Sequence, residues 1–212
     1  MNTQFETIIQ LLRKGKAADI KVETQNALDA GFTPKEILEE ALMEGMSIVG
    51  ELFRNNQVFV PEMLIAARAM NASLSVLKPH LVSGDVTKKG TVVLGTVKGD
   101  LHDIGKNLVK IMMEGKGLEV IDLGVDVPAE TFVQKAAEHN AKVVALSALL
   151  TTTMSEMGNV VKAFEQAGTR NDVKIMIGGA PVTESFRVQI GADNYTGDAA
   201  SAADAAIQLC TA

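Results

Sequence analysis

The stretch Gly99-Asp100-Leu101-His102-Asp103-Ile104-Gly105-Lys106-Asn107 gathers one imidazole, a carboxylate on each side of it, and two glycines. A lone histidine is ordinarily a surface residue or a satisfied core residue. The spacing Asp-x-His-x-x-Gly changes that weight. A metal-ligating histidine usually gives its other ring N–H to a carboxylate, which sets the tautomer and makes the ligand more basic. Asp100 stands where that carboxylate is needed. A zinc centre is not expected, because structural zinc takes about four Cys or His ligands. The other candidates, His80, His139 and Cys210, show no ligand spacing.

The elements around this stretch place it. Thr91 to Val97 is a β-branched apolar run that predicts a buried strand. After it, Ile104, Leu108, Ile111 and Met112 recur at helical spacing. The motif therefore leaves the C-terminal end of a strand, where open α/β sheets bind ligands. From Gly90 onward strands alternate with helices. Strands are predicted at Thr91–Val97, Glu119–Leu123, Lys142–Ser147, Lys174–Ile177 and Asn194–Thr196, and helices at Ile104–Glu114, Ala129–His139, Thr153–Gln166, Thr183–Ile190 and Ala199–Leu209. This is the pattern of a parallel sheet covered on both faces, with flavodoxin-like strand order expected.

Three further stretches fall on the same rim: Ser147 to Thr153, Gly178-Gly179-Ala180-Pro181 and Thr196-Gly197-Asp198-Ala199. Taken singly they read as helix capping, a turn and a strand-to-helix connection. Leu123 to Pro128 reads as an ordinary connection with Pro near a helix start.

Residues 1 to about 82 carry helical patterns only. Gly15 ends the first helix and Gly31 the second. Thr33-Pro34-Lys35-Glu36 is a capping box with Pro at the first helical position. The helix it opens runs to the Asn55-Asn56-Gln57 turn, and Pro61 opens a fourth. Short connections predict a small four-helix bundle. Leu81 to Lys89 is poor in apolar residues and reads as a linker, giving domains at 1–85 and 90–212.

The 212 residues, 47% of them hydrophobic, supply ample core for such an arrangement. A net charge of −6 without a Lys/Arg cluster argues against a nucleic-acid partner. The single cysteine fits a reducing cytoplasm. Met1 to Gln10 lacks the apolar core of a signal peptide, and the longest apolar run, Val143 to Leu150, is far short of a membrane span. Cytoplasmic placement and no membrane partner are expected.

Asp100-x-His102-x-x-Gly105, Ser147-x-Leu149 and Gly178-Gly179, in this order, resemble the signature of the cobalamin-binding module of methionine synthase and of the corrinoid proteins of methanol and methylamine methyltransferase systems. Leu123 to Pro128, Glu51-Leu52-Phe53 and Phe59-Val60-Pro61-Glu62 carry the resemblance into nearly the whole chain. It implies a helical cap followed by a Rossmann-like domain that binds cobalamin or a related corrinoid, in its methylcobalamin form, through cobalt. His102 would be the lower axial ligand and the only protein ligand to the metal. Asp100 would accept the ring N–H of His102, and Ser147 would contact Asp100. Gly105, Leu149, Thr151, Gly178, Gly179 and Ala199 would line the channel for the nucleotide tail. Gly99, Leu101, Asp103 and Ile104 would lie near the corrin. Phe53 and Val60 would cover its upper face, with Glu39 near its edge.

No residue reads as a substrate activator. The resemblance therefore implies a methyl carrier rather than a complete enzyme. Its partners would be a substrate-specific methyltransferase, a second methyltransferase acting on tetrahydrofolate or a thiol, and a reductive activator of cobalt. Leu81 to Lys89 would serve as a hinge. The alternative is the cobalamin-binding subunit of an adenosylcobalamin-dependent mutase, which would lack the leading helical cap.

Overall fold

The computed structural model describes residues 3–80 and 88–211 and divides into two compact units, Met1–Thr87 and Lys88–Ala212. The hinge expected at Leu81 to Lys89 falls almost wholly outside the described residues.

The first unit is helical. Helix α1 spans Thr3–Arg13 and α2 spans Ala17–Asp29. Helix α3 is continuous through three stretches: Pro34–Glu36, Ile37–Met43 in wider π turns, and Glu44–Arg54. Helix α4 spans Val60–Leu77. The ends are set by local chemistry. Beyond α2, the N–H groups of Gly31 and Phe32 close back onto the carbonyls of Leu28 and Ala27. The Thr33 side chain accepts from the Glu36 N–H while the Glu36 carboxylate accepts from the Thr33 N–H, which is the predicted capping box. Glu62 does the same for α4 by accepting from the Phe59 N–H at 3.0 Å.

The apolar stripes meet in a core of Ile8, Leu12, Ile20, Ile37, Leu42, Met46, Met63 and Leu77, all without solvent exposure. One polar contact lies inside it. Thr24 of α2 and Ser73 of α4 are both buried, and their hydroxyls meet at 2.6 Å. Thr24 also bonds the Ile20 carbonyl, so neither hydroxyl is left unsatisfied.

The second unit is a parallel sheet of five strands in the order β2-β1-β3-β4-β5. The strands are β1 Thr91–Thr96, β2 Glu119–Asp122, β3 Val143–Ser147, β4 Lys174–Gly178 and β5 Asn194–Tyr195. The helices between and after them are α5 Ile104–Gly115, α6 Ala129–Glu138, α7 Met154–Gln166, α8 Glu184–Ile190 and α9 Ala199–Thr211. Strands buried on both sides explain the unbroken apolar runs of β1, β3 and β4. Helices α5 and α9 pack together on one face, α6 and α7 on the other, where Phe132 and Phe164 are buried against Val93, Val144 and Ile175.

The strand order reverses at β1. Its connection leads to β2 on one side, and β3 lies on the other. The crevice between the loops after β1 and β3 is therefore the topological switch point, the general ligand position of this architecture. Register aligns Thr96 with Ser147 and Ser147 with Gly178, so the loops after β1, β3 and β4 leave the sheet side by side.

Gly178, the last residue of β4, and Gly179, which follows it, have different tasks. Gly179 has φ +134°, and a Cβ there would overlap the carbonyl oxygen of Ala148 in the neighbouring loop. A Cβ on Gly178 would lie 3.3 Å from the Thr196 carbonyl oxygen, a tight contact but far short of the overlap at Gly179. Gly179→Ala should destabilise the cofactor-free protein by about 2–4 kcal/mol through backbone strain and overlap. Gly178→Ala should cost about 1 kcal/mol or less. Urea unfolding of the two variants checks this difference.

Candidate functional site

The loop after β1 carries the imidazole, and its geometry is set by a buried charge. Asp100 has no solvent exposure, yet its carboxylate has a donor at every turn. Oδ1 accepts from the His102 backbone N–H at 3.1 Å and from His102 Nδ1 at 2.8 Å. Oδ2 accepts from the N–H groups of Leu149 and Leu150 at 2.8 and 3.2 Å and from the Thr153 hydroxyl at 2.8 Å. Burial alone would raise the pKa of this carboxyl. The hydrogen bonds from Leu149, Thr153 and both His102 groups outweigh it and hold the group well below the usual carboxylate range.

An ionised carboxylate only accepts, so Nδ1 of His102 carries the proton. In the neutral ring the lone pair is then on Nε2. The His102 side chain is half exposed, and no partner for Nε2 occurs among the described residues. The result is an oriented imidazole with its basic nitrogen free.

The surrounding backbone is held from several directions. The Thr96 hydroxyl donates to the His102 carbonyl at 2.9 Å. Gly99 turns the chain with φ +79°. Below the loop, the buried Lys106 of α5 reaches Asp122 at the end of β2 at 2.6 Å and the Asn107 side chain at 2.8 Å. Burial would raise the Asp122 carboxyl as well. The Lys106 hydrogen bond, the Gly124 N–H and the charges of Lys106 and Lys110 bring it below its ordinary value. This pair pins the first turn of α5 to the sheet.

Exposed apolar side chains stand on both loops that meet at Asp100. Leu101 and Ile104, either side of His102 in the chain, are 71% and 73% exposed, and Leu149 and Leu150, whose N–H groups bond the Asp100 carboxylate, are exposed as well. A Cβ on Gly105 would meet no atom within 4 Å. Exposed apolar groups around an accessible nitrogen form a face for a large, partly apolar ligand.

The donor set restricts the metal that could sit there. Among the described residues no cluster of three or more His, Cys, Asp or Glu side chains is arranged to hold a metal ion. A metal taken by His102 must bring its remaining donors with it. A corrin would do so, its ring nitrogens supplying the metal's other donors while His102 would hold it through Nε2. The residues present fit such a group.

Most residues expected at the site lie on this rim. Gly99, Leu101, Asp103, Ile104 and Gly105 flank His102 in the β1–α5 loop and the first turn of α5, and all are exposed. Leu149 and Thr151 lie exposed in the loop after β3; Gly178 ends β4 and Gly179 follows it. Ala199 is buried in the first turn of α9 and offers little surface of its own. In the helical unit, Glu39 is exposed within the π segment, whereas Phe53 and Val60 are half-buried at the end of α3 and the start of α4.

One expected contact is corrected. The hydroxyl on Asp100 belongs to Thr153, not Ser147. Ser147 is the last residue of β3 and pairs with Thr96 in the sheet; the chain must pass on to Thr153 before a hydroxyl meets Oδ2. The run Thr151-Thr152-Thr153 signalled a hydroxyl at this rim, but nothing local to the sequence selects among them. Asp126, within the Leu123 to Pro128 stretch that reads as an ordinary connection, also bonds the loop, accepting from the Gly99 N–H.

Together these features define a class: an open α/β domain that presents one carboxylate-backed histidine to a metal carrying its own equatorial donors. Family comparison agrees. A family model described as a B12 binding domain matches residues 90–207, and a second model of the same description matches residues 4–78. The chain is 45% identical over 177 residues to dimethylamine corrinoid protein 2 of Methanosarcina acetivorans, covering 83% of this chain and 82% of that one. It is 45% identical over 181 residues to trimethylamine corrinoid protein 1 of Methanosarcina mazei, covering 84% and 82%. A chain in the crystal structure of the methanol:cobalamin methyltransferase complex of Methanosarcina barkeri superposes with a TM-score of 0.88 at 31% identity, over 99% of this chain and 80% of that one. The chain belongs to the B12-binding corrinoid proteins of methyltransferase systems. Its cofactor is a cobalamin or related corrinoid.

Two measurements test the carboxylate network. Thr153→Val removes a donor from a buried charge and should cost about 1.5–3 kcal/mol of stability, while Thr153→Ser keeps the hydroxyl and most of the stability. Because the folded carboxyl of Asp100 lies below its unfolded value of about 3.9, its contribution is fully present above that pH and is lost as pH falls toward the folded value. Between about pH 5 and pH 2, the unfolding free energy of the cofactor-free wild type should therefore fall more steeply than that of Asp100→Asn. Parallel curves would show that Asp100 is not a depressed, network-held carboxylate.

Proposed function

We propose that this chain is a methyl carrier that works between a substrate-specific methyltransferase and a second methyltransferase acting on tetrahydrofolate or a thiol. The observation that carries the reading is the single imidazole at the switch point, its Nδ1 committed to Asp100 and its Nε2 free. When bound, the corrinoid supplies the transfer chemistry, its cobalt accepting a methyl group from one partner and releasing it to the next.

The chain's own residues have narrower tasks. His102 would hold the corrinoid's metal through Nε2. Asp100 keeps that imidazole in one tautomer and one orientation, and Thr153 holds Asp100. Gly105, Leu149, Thr151, Gly178, Gly179 and Ala199 line the path of the nucleotide tail, with Ser147 at the base of the crevice. Phe53 and Val60 exclude water from the upper face, and Glu39 stands near its edge. A reductive activator would be a further partner, keeping the bound corrinoid in its active oxidation state.

Relatives named for dimethylamine and trimethylamine share 45% identity with this chain, so methylated amines are the first donors to assay. The solved relative in a complex with a methyltransferase supports a partner of that kind. A mutase subunit is not favoured, because the helical half of the chain matches the same B12-binding description and these relatives are corrinoid proteins named for methylamines.

Protein reconstituted with cob(II)alamin should show nitrogen hyperfine splitting that changes when histidine is labelled with 15N. His102→Ala should abolish the isotope effect and weaken binding. An isotope effect that survives in His102→Ala would refute the axial assignment. The carrier reading itself is tested by methyl transfer from methylated amines with candidate partner methyltransferases. Failure with every donor and acceptor class would overturn it.

The upper-face assignment has its own check. Phe53→Ala should speed photolysis of the methylcobalamin-loaded protein while leaving the histidine isotope effect intact. Unchanged photolysis with a loss of thermal stability would make Phe53 a packing residue only.

A further inference from the structure

Asp126 lies in the loop between β2 and α6, and two observations single it out. It is a non-glycine residue in the left-handed region, with φ +54°. Its side chain and its backbone also grip the same short segment of the β1–α5 loop. Oδ1 of Asp126 accepts from the Gly99 N–H at 2.6 Å, and the Asp126 N–H donates to the Asp100 carbonyl at 3.0 Å. One residue thus brackets Gly99 and Asp100 at both ends.

That segment is where the chain leaves β1 and delivers Asp100 into the interior and His102 to the surface. It turns at Gly99, which has φ +79° and so has no preference of its own for this conformation over others. The strands beneath are already tied here. Val97 and Val127 form a parallel bridge, and the Val127 N–H donates to the Thr96 carbonyl at 3.0 Å. Asp126 extends this ladder one step past the end of the sheet by substituting a side-chain oxygen for a strand carbonyl.

Core packing does not account for the residue. Asp126 is exposed. The backbone angle does not account for it either, because a glycine would adopt that φ without strain, as Gly124 does two residues earlier at φ +82°. What aspartate adds is an acceptor placed over the Gly99 N–H. Aspartate and asparagine tolerate the left-handed region better than other side chains.

We propose that Asp126 is a positioning residue for the axial histidine: it holds the Gly99–Asp100 segment in the one conformation that presents His102 Nε2 to the corrinoid. The inference rests on the reading of His102 as the lower ligand. Without the clamp the loop samples other conformations, and apparent affinity falls by the fraction of molecules that remain competent.

Two substitutions separate this role from a plain turn. Asp126→Gly keeps the backbone conformation and deletes the oxygen. Asp126→Asn keeps both the conformation and an acceptor. In cofactor-free protein, hydrogen exchange at the Gly99 amide should be slow in wild type and Asp126→Asn and faster in Asp126→Gly. On loading with cob(II)alamin, Asp126→Gly should bind on the order of ten-fold more weakly. It should also show a smaller fraction of molecules with the 15N-histidine splitting, and Asp126→Asn should restore both. If Gly99 exchange, affinity and splitting in Asp126→Gly all match wild type, Asp126 is only a turn residue and the proposal is overturned. If wild type itself shows no histidine splitting, it is the axial reading that fails. The cofactor-free exchange result still reports on the clamp.

Discussion

The structure around the site depends on one buried negative charge. Asp100 is shut off from water, and an isolated carboxylate in that position would cost far more than the fold could supply. It is tolerated because donors from two loops converge on it: the backbone and ring of His102 from one side, and Leu149, Leu150 and Thr153 from the other. The requirement runs both ways. The charge holds the loops after β1 and β3 together, and the loops keep the charge ionised. The free nitrogen of His102 follows from this balance, because only an ionised partner obliges Nδ1 to be the donor.

The scaffold makes that convergence repeatable. The switch in strand order leaves a crevice between β1 and β3, so their loops meet without any helix crossing between them. Register brings Thr96, Ser147 and Gly178 into line. The close approach of Gly179 to the Ala148 carbonyl fixes the next loop along. On the other side, the buried Lys106–Asp122 pair ties α5 to β2. Such a pair contributes little net stability by itself, but leaving one partner unpaired is expensive, so it acts as a register pin for the helix that follows the histidine. The chemistry asked of these residues is modest. They hold and orient the imidazole, and a bound corrinoid would bring its own remaining ligands.

Much of this was legible in the chain. Strand and helix positions agree with the apolar periodicity to within a residue or two, from Thr91–Thr96 through Ala199–Thr211. The parallel sheet follows from the alternation of short apolar runs with amphipathic helices, and its order β2-β1-β3-β4-β5 is the flavodoxin-like one expected. Local chemistry was equally readable: the Thr33 capping box, the Gly31 helix end and the Asp100–His102 pair all involve residues two to five positions apart. Pattern and spacing determine such features because the chain has few ways to arrange so short a segment. The π turns of Ile37–Met43 widen a helix whose sequence reads as ordinary α, and no local spacing in the chain marks them.

The third partner of the histidine was decided only in three dimensions. Thr153 reaches Asp100 across 53 residues, and Asp126 reaches Gly99 across 27. Ser147, the hydroxyl expected to make that contact, is the last residue of β3 and aligns with Thr96, while the chain turns on to bring Thr153 over the carboxylate. The sequence by itself determined which residue types stand at each strand end. Which of them touch depends on strand register and on how each loop closes, and both are set by long-range packing that no local spacing encodes.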